Sequence, residues 1–382
     1  MLKKIYDFIK ITPLTLAVIF VLLVITDVGL RYYWAEYYQE PGRTRLLNQE
    51  PATLRALRDE VNSAEGYKIL FLGDSAVYGS AVKEPAQTIP AYLEQELNNS
   101  LTGRQVKVFN FAFKGYGMSE NYFILNSLAD AGIDLVVYNV STGWFNREKV
   151  LEHTNVLLLG SEFYRPDLIA KTGVATSTDQ RKKFDNQVDQ VLGQIWKLYR
   201  TRSAITTLIL GKPLRGVLTD WQLALTDPAV LSRRNKEEAK IFQPWDQKDW
   251  SEDMMKMDYK IGTVNLNGGN PQVIFYNLIL DLLSAKRITG LCYTSPQNFL
   301  MLSRYNKLDR KAWDTSLVRL RSITQRPGIV YTDYSNLVPD SYFTDTIHLN
   351  GPGNLMVAKQ LARDISKELA GELGKSGVMV KQ

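Results

Sequence analysis

Ser75, Asp345 and His348 are the side chains of this 382-residue chain whose types and setting point to chemistry. A serine hydroxyl attacks a carbonyl carbon once a base takes its proton, and a histidine oriented by a carboxylate is such a base. The chain has two histidines, His153 and His348, so the search for that base is short. His348 follows Asp345 closely enough for the carboxylate to hold one ring nitrogen while the other faces Ser75. His153, beside Glu152, reads as a surface histidine with no catalytic task.

Ser75 stands just past Lys68-Ile69-Leu70-Phe71-Leu72, a run with the length and apolar content of a strand buried on both faces. Gly73 supplies the tight turn that exposes a side chain at the strand's carboxyl end, where reactive groups collect in open α/β sheets. Gly-Asp-Ser alone is an ordinary exit from a strand. Its pairing with Asp345-x-x-His348 near the other end of the domain makes it a nucleophile and its base.

These residues resemble the SGNH or GDSL hydrolases at both ends of the soluble part. Gly73-Asp74-Ser75 is similar to that family's first block, in which Ser75 is the nucleophile and also lends a backbone N–H to the oxyanion hole. Asp345-x-x-His348 is similar to its last block. Asn110-Phe111-Ala112-Phe113-Lys114-Gly115-Tyr116-Gly117 resembles the second block, and by that resemblance Gly115 gives a second oxyanion N–H. The third block departs: where the family has Gly-x-Asn-Asp, Asp134 to Val140 runs into Ser141-Thr142-Gly143-Trp144-Phe145-Asn146. No Asn stands in the expected place, and a third donor would have to come from Asn146, Thr142 or a backbone N–H near Gly143. The Ser-x-x-Trp-Phe ending resembles the membrane-anchored DltD proteins of lipoteichoic acid D-alanylation more than secreted esterases.

The elements that must position these groups follow from composition and periodicity. With 45% apolar and 23% charged residues the chain is globular. A net charge of +6 is scattered among 40 acidic residues, so nucleic acid binding is not expected. One cysteine, Cys292, excludes an internal disulfide, and two distant histidines give no zinc-type cluster, so neither metal nor cofactor is implied. Residues 11 to 30 carry a single charge, Asp27, and match the roughly 30 Å of a bilayer core. They read as an uncleaved membrane anchor, with Lys3, Lys4 and Lys10 before it, Arg31 after it and Tyr32, Tyr33 and Trp34 as an interfacial belt. That charge bias puts the N-terminus inside and the domain outside the cytoplasm.

The expected organisation is an anchor at 1–34, a connector at 35–66 and one three-layer α/β/α domain at 67–382 with a mostly parallel sheet. Strands are expected at 68–72, 105–111, 134–140, 290–294 and 328–333, with helices between them at 89–97, 120–131, 272–286 and 309–323 and one after, from about 354. From about 147 to 269 that rhythm fails. This stretch reads as an insertion, helical from about Asn186 to Leu198, serving as a lid, a docking surface or extra structural helices that bury their own tryptophans. Pro296 and Asn298 fall at a strand's carboxyl edge, facing the site.

There is no Gly-x-Ser-x-Gly elbow, no Gly-x-Gly-x-x-Gly and no Walker loop, which removes the α/β-hydrolase and usual nucleotide readings. Three functions remain. The first, which the resemblance implies, is a membrane-anchored acyltransferase or esterase acting on O-acyl groups of a cell-envelope glycan or lipid-linked polymer, with a membrane-bound O-acyltransferase as partner. The others are a stand-alone carbohydrate or lipid esterase, and a non-enzymatic tether.

Overall fold

The protein was analysed as a computed structural model, which describes residues 12–103, 105–147, 153–159, 170–173, 188, 191–208, 216–257, 259–368 and 379–380. In its first half come α1 (Pro13–Tyr37), α2 (Pro51–Ser63), β1 (Tyr67–Leu72), α3 (Ile89–Ser100), β2 (Val106–Asn110), α4 (Met118–Leu128) and β3 (Leu135–Val140). There follow α5 (Lys197–Ile205), α6 (Gly216–Thr226), α7 (Pro228–Ile241) and α8 (Pro271–Lys286). The chain then forms β4 (Thr289–Thr294), α9 (Arg310–Thr324), β5 (Ile329–Asp333) and α10 (Gly351–Glu368).

The strands form one parallel five-stranded sheet in the order β2-β1-β3-β4-β5. Alternating side chains send Leu70, Leu72, Val136 and Tyr138 to one core, shared with α2, α4 and α8, and Ile69, Phe71, Leu135 and Val137 to another, shared with α3 and α10. Helices therefore cover both faces, which is why the strands read as continuous apolar runs. Strand order reverses between β1 and β3, the topological switch point where open α/β sheets place their ligand crevice. α10 begins at Gly351, ahead of the expected start, because Pro352 in a first turn lacks only an N–H that would have no helical partner.

The expected connector at 35–66 belongs to the body instead. Leu54, Leu57 and Val61 of α2 are wholly buried, and Thr44 to Leu46 hydrogen-bond along the outer edge of β2 through Asn110 N to Thr44 O (2.8 Å) and Leu46 N to Asn110 O (3.2 Å). An edge strand left bare would present unpaired backbone, and this segment covers it.

Among the described residues α1 is the one helix long and apolar enough to cross a membrane, roughly 37 Å over its 25 residues. Leu14, Phe20 and Ile25 are open to the surroundings, whereas Trp34, Tyr37 and Tyr38 are buried in the core with Leu46 and Leu54. Trp34 is thus a core residue and not part of an interfacial belt: the apolar helix runs without a break into the α/β body. Lys3, Lys4 and Lys10, and residue 11 of the expected anchor, lie outside the described residues.

Part of the 147–269 insertion also lies outside them, including residues 186, 187, 189 and 190 of the helix expected from Asn186 to Leu198. In the part described, helix ends at Ile195, Trp196 is not helical and α5 starts afresh at Lys197. α6 and α7 pack on each other with an ion pair between Asp220 and Arg234. Trp245 buries itself in the core of the main body beside Phe343 and does not join a separate aromatic cluster, while Trp221 stays exposed.

Candidate active site

β1 ends at Leu72, and the chain makes a single helical turn, Ser75–Tyr78, with Asp74 as its N-cap: Asp74 Oδ1 accepts from Ala76 N at 3.0 Å. Gly73 is required here by space, since an added Cβ would stand 2.8 Å from Val77 Cγ2 and 3.0 Å from Asn139 Cβ. Its N–H donates to Asn121 Oδ1 (3.0 Å), and Asn121 Nδ2 donates to Gly117 O (2.7 Å), which ties the turn after β1 to the start of α4. Ser75 is consequently held at the carboxyl edge of the sheet, half-buried.

His348 Nε2 lies 2.9 Å from Ser75 Oγ, and His348 Nδ1 lies 2.6 Å from Asp345 Oδ2. The carboxylate on Nδ1 selects the neutral tautomer protonated there, leaving Nε2 free to accept the serine proton. Asp345 Oδ1 accepts from the backbone N–H groups of Ile347 (2.9 Å) and His348 (2.7 Å), so both its oxygens are occupied. Burial raises the Asp345 carboxyl, but the imidazole and those two N–H groups outweigh it and hold the carboxyl below the ordinary 3.8. Burial lowers His348, and the bond and charge of Asp345, with the charge of Asp74, outweigh that and lift it above 6.5.

The loop that carries Asp345 and His348 is held from two sides. Asn298, after β4, donates from Nδ2 to Asp345 O (3.1 Å) and from its backbone N to Thr346 O (2.9 Å), in keeping with its expected place facing the site. From the insertion, Trp245 N donates to Phe343 O (3.0 Å), Trp245 Nε1 to Asp340 O (2.9 Å) and Lys248 Nζ to Thr344 O (2.7 Å). Neither role is legible in the sequence, because nothing around Trp245 or Lys248 records a partner 95 or 96 residues on.

Gly115 sits in the Phe113–Tyr116 turn at φ +81°, which a side chain disfavours. Its N–H and that of Ser75 have no acceptor among the described residues. Asn146 is not available as a third donor: Nδ2 donates to Thr263 O (2.8 Å) and Oδ1 accepts from Asn265 N (2.8 Å), fastening the start of the 263–270 segment. Thr142 is buried, and Gly143 faces open space. Trp144 from the same turn donates Nε1 to Asp74 Oδ2 (3.0 Å), completing the bonds of that buried carboxylate. Trp144 was visible in sequence only as part of a resemblance.

His153 is not a free surface residue. Its N–H donates to Glu120 Oε1 (3.1 Å), Nε2 lies 3.3 Å from Gln49 Nε2, and the ring packs against Tyr116. These contacts give it a structural place apart from the Ser75 relay.

No protein-family model matches the sequence, and no curated protein matches it. Similar solved structures include a family two carbohydrate esterase from Clostridium thermocellum in complex with cellohexaose, at 10% identity and TM-score 0.34, covering 80% of this chain and 65% of that one. They also include a GDSL-like lipase from Bacteroides thetaiotaomicron, at 11% identity and TM-score 0.35, covering 84% of this chain and all of that one, 100%. This chain spans just under two thirds of the carbohydrate esterase. Likenesses this distant do not carry an activity or a substrate to this chain, so function rests on the chain's own geometry.

Proposed function

We propose that this protein is a membrane-anchored serine esterase or acyltransferase that works on O-acyl groups through Ser75, His348 and Asp345. The observation that carries the reading is the unbroken line from Ser75 Oγ to His348 Nε2 (2.9 Å) and from His348 Nδ1 to Asp345 Oδ2 (2.6 Å), built from residues 273 positions apart. Ser75 Oγ attacks the acyl carbonyl as its proton passes to Nε2. The oxyanion is received by the N–H groups of Ser75 and Gly115. As the tetrahedral centre collapses, the C–O bond to the leaving alkoxide breaks, and that oxygen takes the proton back from Nε2. The acyl-serine is then resolved by water or by an acceptor hydroxyl, with His348 again the base.

Transfer to a glycan or lipid-linked polymer outside the cytoplasm is the form we favour. α1 enters the core through Trp34 and Tyr37, so the body stands at a fixed distance from the bilayer and does not swing on a tether. A catalyst so held suits an acceptor presented at the membrane, with a membrane-bound O-acyltransferase to supply the acyl group. A stand-alone carbohydrate or lipid esterase shares the first half-reaction, and the difference lies in what resolves the acyl-serine.

Pre-steady-state release of p-nitrophenol from p-nitrophenyl acetate by the full chain in detergent tests both parts. The reading expects a burst matching the enzyme concentration, followed by slow turnover that a polyol acceptor accelerates. Fast linear turnover indifferent to the acceptor assigns the stand-alone esterase. No burst and no turnover leaves the non-enzymatic tether.

A further inference from the structure

The turn that opens with Ser75 closes with an aromatic ring that carries two cations. Tyr78 follows Ser75 by one helical turn, which puts their Cβ atoms roughly 5–6 Å apart. The Arg45 guanidinium stands over the half-buried Tyr78 ring, 4.1 Å from its centroid, and the Lys114 ammonium lies 5.8 Å from that centroid. Three stretches of chain meet here, and Asn110 at the end of β2 joins them. Its backbone pairs with Thr44 and Leu46 on either side of Arg45, its Nδ2 donates to Val77 O (3.3 Å), and its Oδ1 accepts from Ala112 N (3.0 Å) just ahead of Lys114. The backbone that carries each cation is thereby fastened to the nucleophile's turn.

Neither charge is neutralised within the protein. Among the described residues no carboxylate pairs with Arg45 or Lys114, and neither side chain donates a hydrogen bond. The acids of these stretches are engaged elsewhere: Glu40 with Arg43 (3.0 Å), Asp74 with Trp144 Nε1 and Ala76 N, Glu120 with Gly117 N (2.9 Å) and Asp345 with His348. A ring face attracts a cation without cancelling its charge. The charge of Lys114, which is exposed, also reaches the base: burial lowers His348, Asp345 and then Asp74 raise it, and Lys114 again lowers it. A neutral ester has no use for two uncompensated cations beside the nucleophile, whereas an anionic one is drawn to them and held in one orientation.

We propose that Arg45 and Lys114 form a subsite for a negative charge on the alcohol part of the ester, a carboxylate or a phosphate near the acylated hydroxyl. The Arg45 fork takes two oxygens of such a group, and Lys114 adds its charge from the oxyanion turn. In transfer the same pair receives the acceptor, since the alcohol that arrives takes the place of the one that left. The proposal deepens the reading of Ser75 as the nucleophile and rests on it.

Cleavage of three acetyl esters by the full chain in detergent tests it: 4-acetoxybenzoate, 4-acetoxyphenyl phosphate and the neutral methyl 4-acetoxybenzoate. Each kcat/KM is divided by that ester's rate with free imidazole, which removes differences in intrinsic reactivity. The anionic esters are expected to be preferred over the methyl ester by about tenfold, and by less as salt is raised. Arg45→Gln with Lys114→Gln removes the preference, Lys114→Gln alone, at an exposed position, lowers it roughly threefold, and Lys114→Arg keeps it. A larger preference for the phosphate ester assigns a phosphate-bearing alcohol, and a larger one for the benzoate assigns a carboxylate. Equal normalised rates for the three esters, a preference that survives both glutamine variants, or one lost as fully in Lys114→Arg as in the double variant overturns the subsite. Such a result with turnover that still requires Ser75 overturns the subsite alone, whereas turnover of all three esters kept in Ser75→Ala overturns the catalytic reading beneath it.

Discussion

The chain leaves β1 and β3 at neighbouring points on one edge of the sheet and puts the two exits to opposite use. After β1, the Gly73–Ser75 turn presents a half-buried hydroxyl 2.9 Å from His348 Nε2. After β3, the Thr142–Asn146 turn spends its side chains on structure: Trp144 on Asp74 and Asn146 on the backbone of Thr263 and Asn265. On the proposed reading one exit carries chemistry and the other braces it. The brace is direct, since Asp74 is both the partner of Trp144 and the N-cap of the turn that opens with Ser75.

The first way to break this comparison is at its chemical side. His348→Ala should cost on the order of 10⁴-fold or more in kcat for p-nitrophenyl acetate, because the members of such a relay act as a unit. Turnover within tenfold of the unaltered protein would mean that the base lies elsewhere.

At the bracing side, Trp144→Phe leaves a buried carboxylate oxygen without its donor, at about 1–3 kcal/mol in denaturant unfolding. It should also loosen the Ser75 turn and lower kcat by roughly tenfold. Stability lost with kcat unchanged would sever the brace from the chemistry.

The pH profile sharpens the electrostatic link between the two exits. His348 acts as a base only when neutral and its pKa is raised, so the acid limb of kcat/KM should fall above pH 6.5. Asp74 contributes to that rise, so Asp74→Asn should move the limb towards lower pH. Stability follows the same groups with the signs worked out separately. His348, raised, contributes fully below pH 6.5 and loses its contribution as pH climbs through its folded pKa. Asp345, lowered, contributes above pH 3.8 and loses its contribution as pH falls through its folded pKa.

The smallest effect is expected at Asn146. Asn146→Ala removes two bonds at an exposed position, for about 1 kcal/mol, and should leave kcat within roughly twofold. A hundredfold loss, about what one oxyanion donor is worth, would restore Asn146 as the third donor and undo the division between the two exits.

Sequence disclosed the chemical exit better than its brace for a physical reason. β1, β3 and β4 are buried on both faces, and their apolar runs announce the parallel sheet within a residue or two of its bounds. Ser75 and the Asp345–His348 pair are local signals, because a turn after a strand and a spacing of three are written in adjacent residues. Trp144, Asn121, Trp245 and Lys248 take their roles from partners 48 to 96 residues away, and no local pattern encodes such a partner. The supposed connector failed for the same reason: the alternation of charged residues with Leu54, Leu57 and Val61 describes an amphipathic helix but not the core on which it lies. Trp34 reads as interfacial because it follows Tyr32 and Tyr33 at the end of the apolar stretch, although its own ring turns into the body.

The central claim, that Ser75 is a nucleophile made reactive by His348, is tested most directly by locating the adduct left by a fluorophosphonate. Peptide mapping by mass spectrometry should find a single phosphonyl group, on Ser75, forming at least a hundredfold more slowly in His348→Ala and absent from Ser75→Ala. An adduct on another residue, or labelling that persists in Ser75→Ala, would contradict the account.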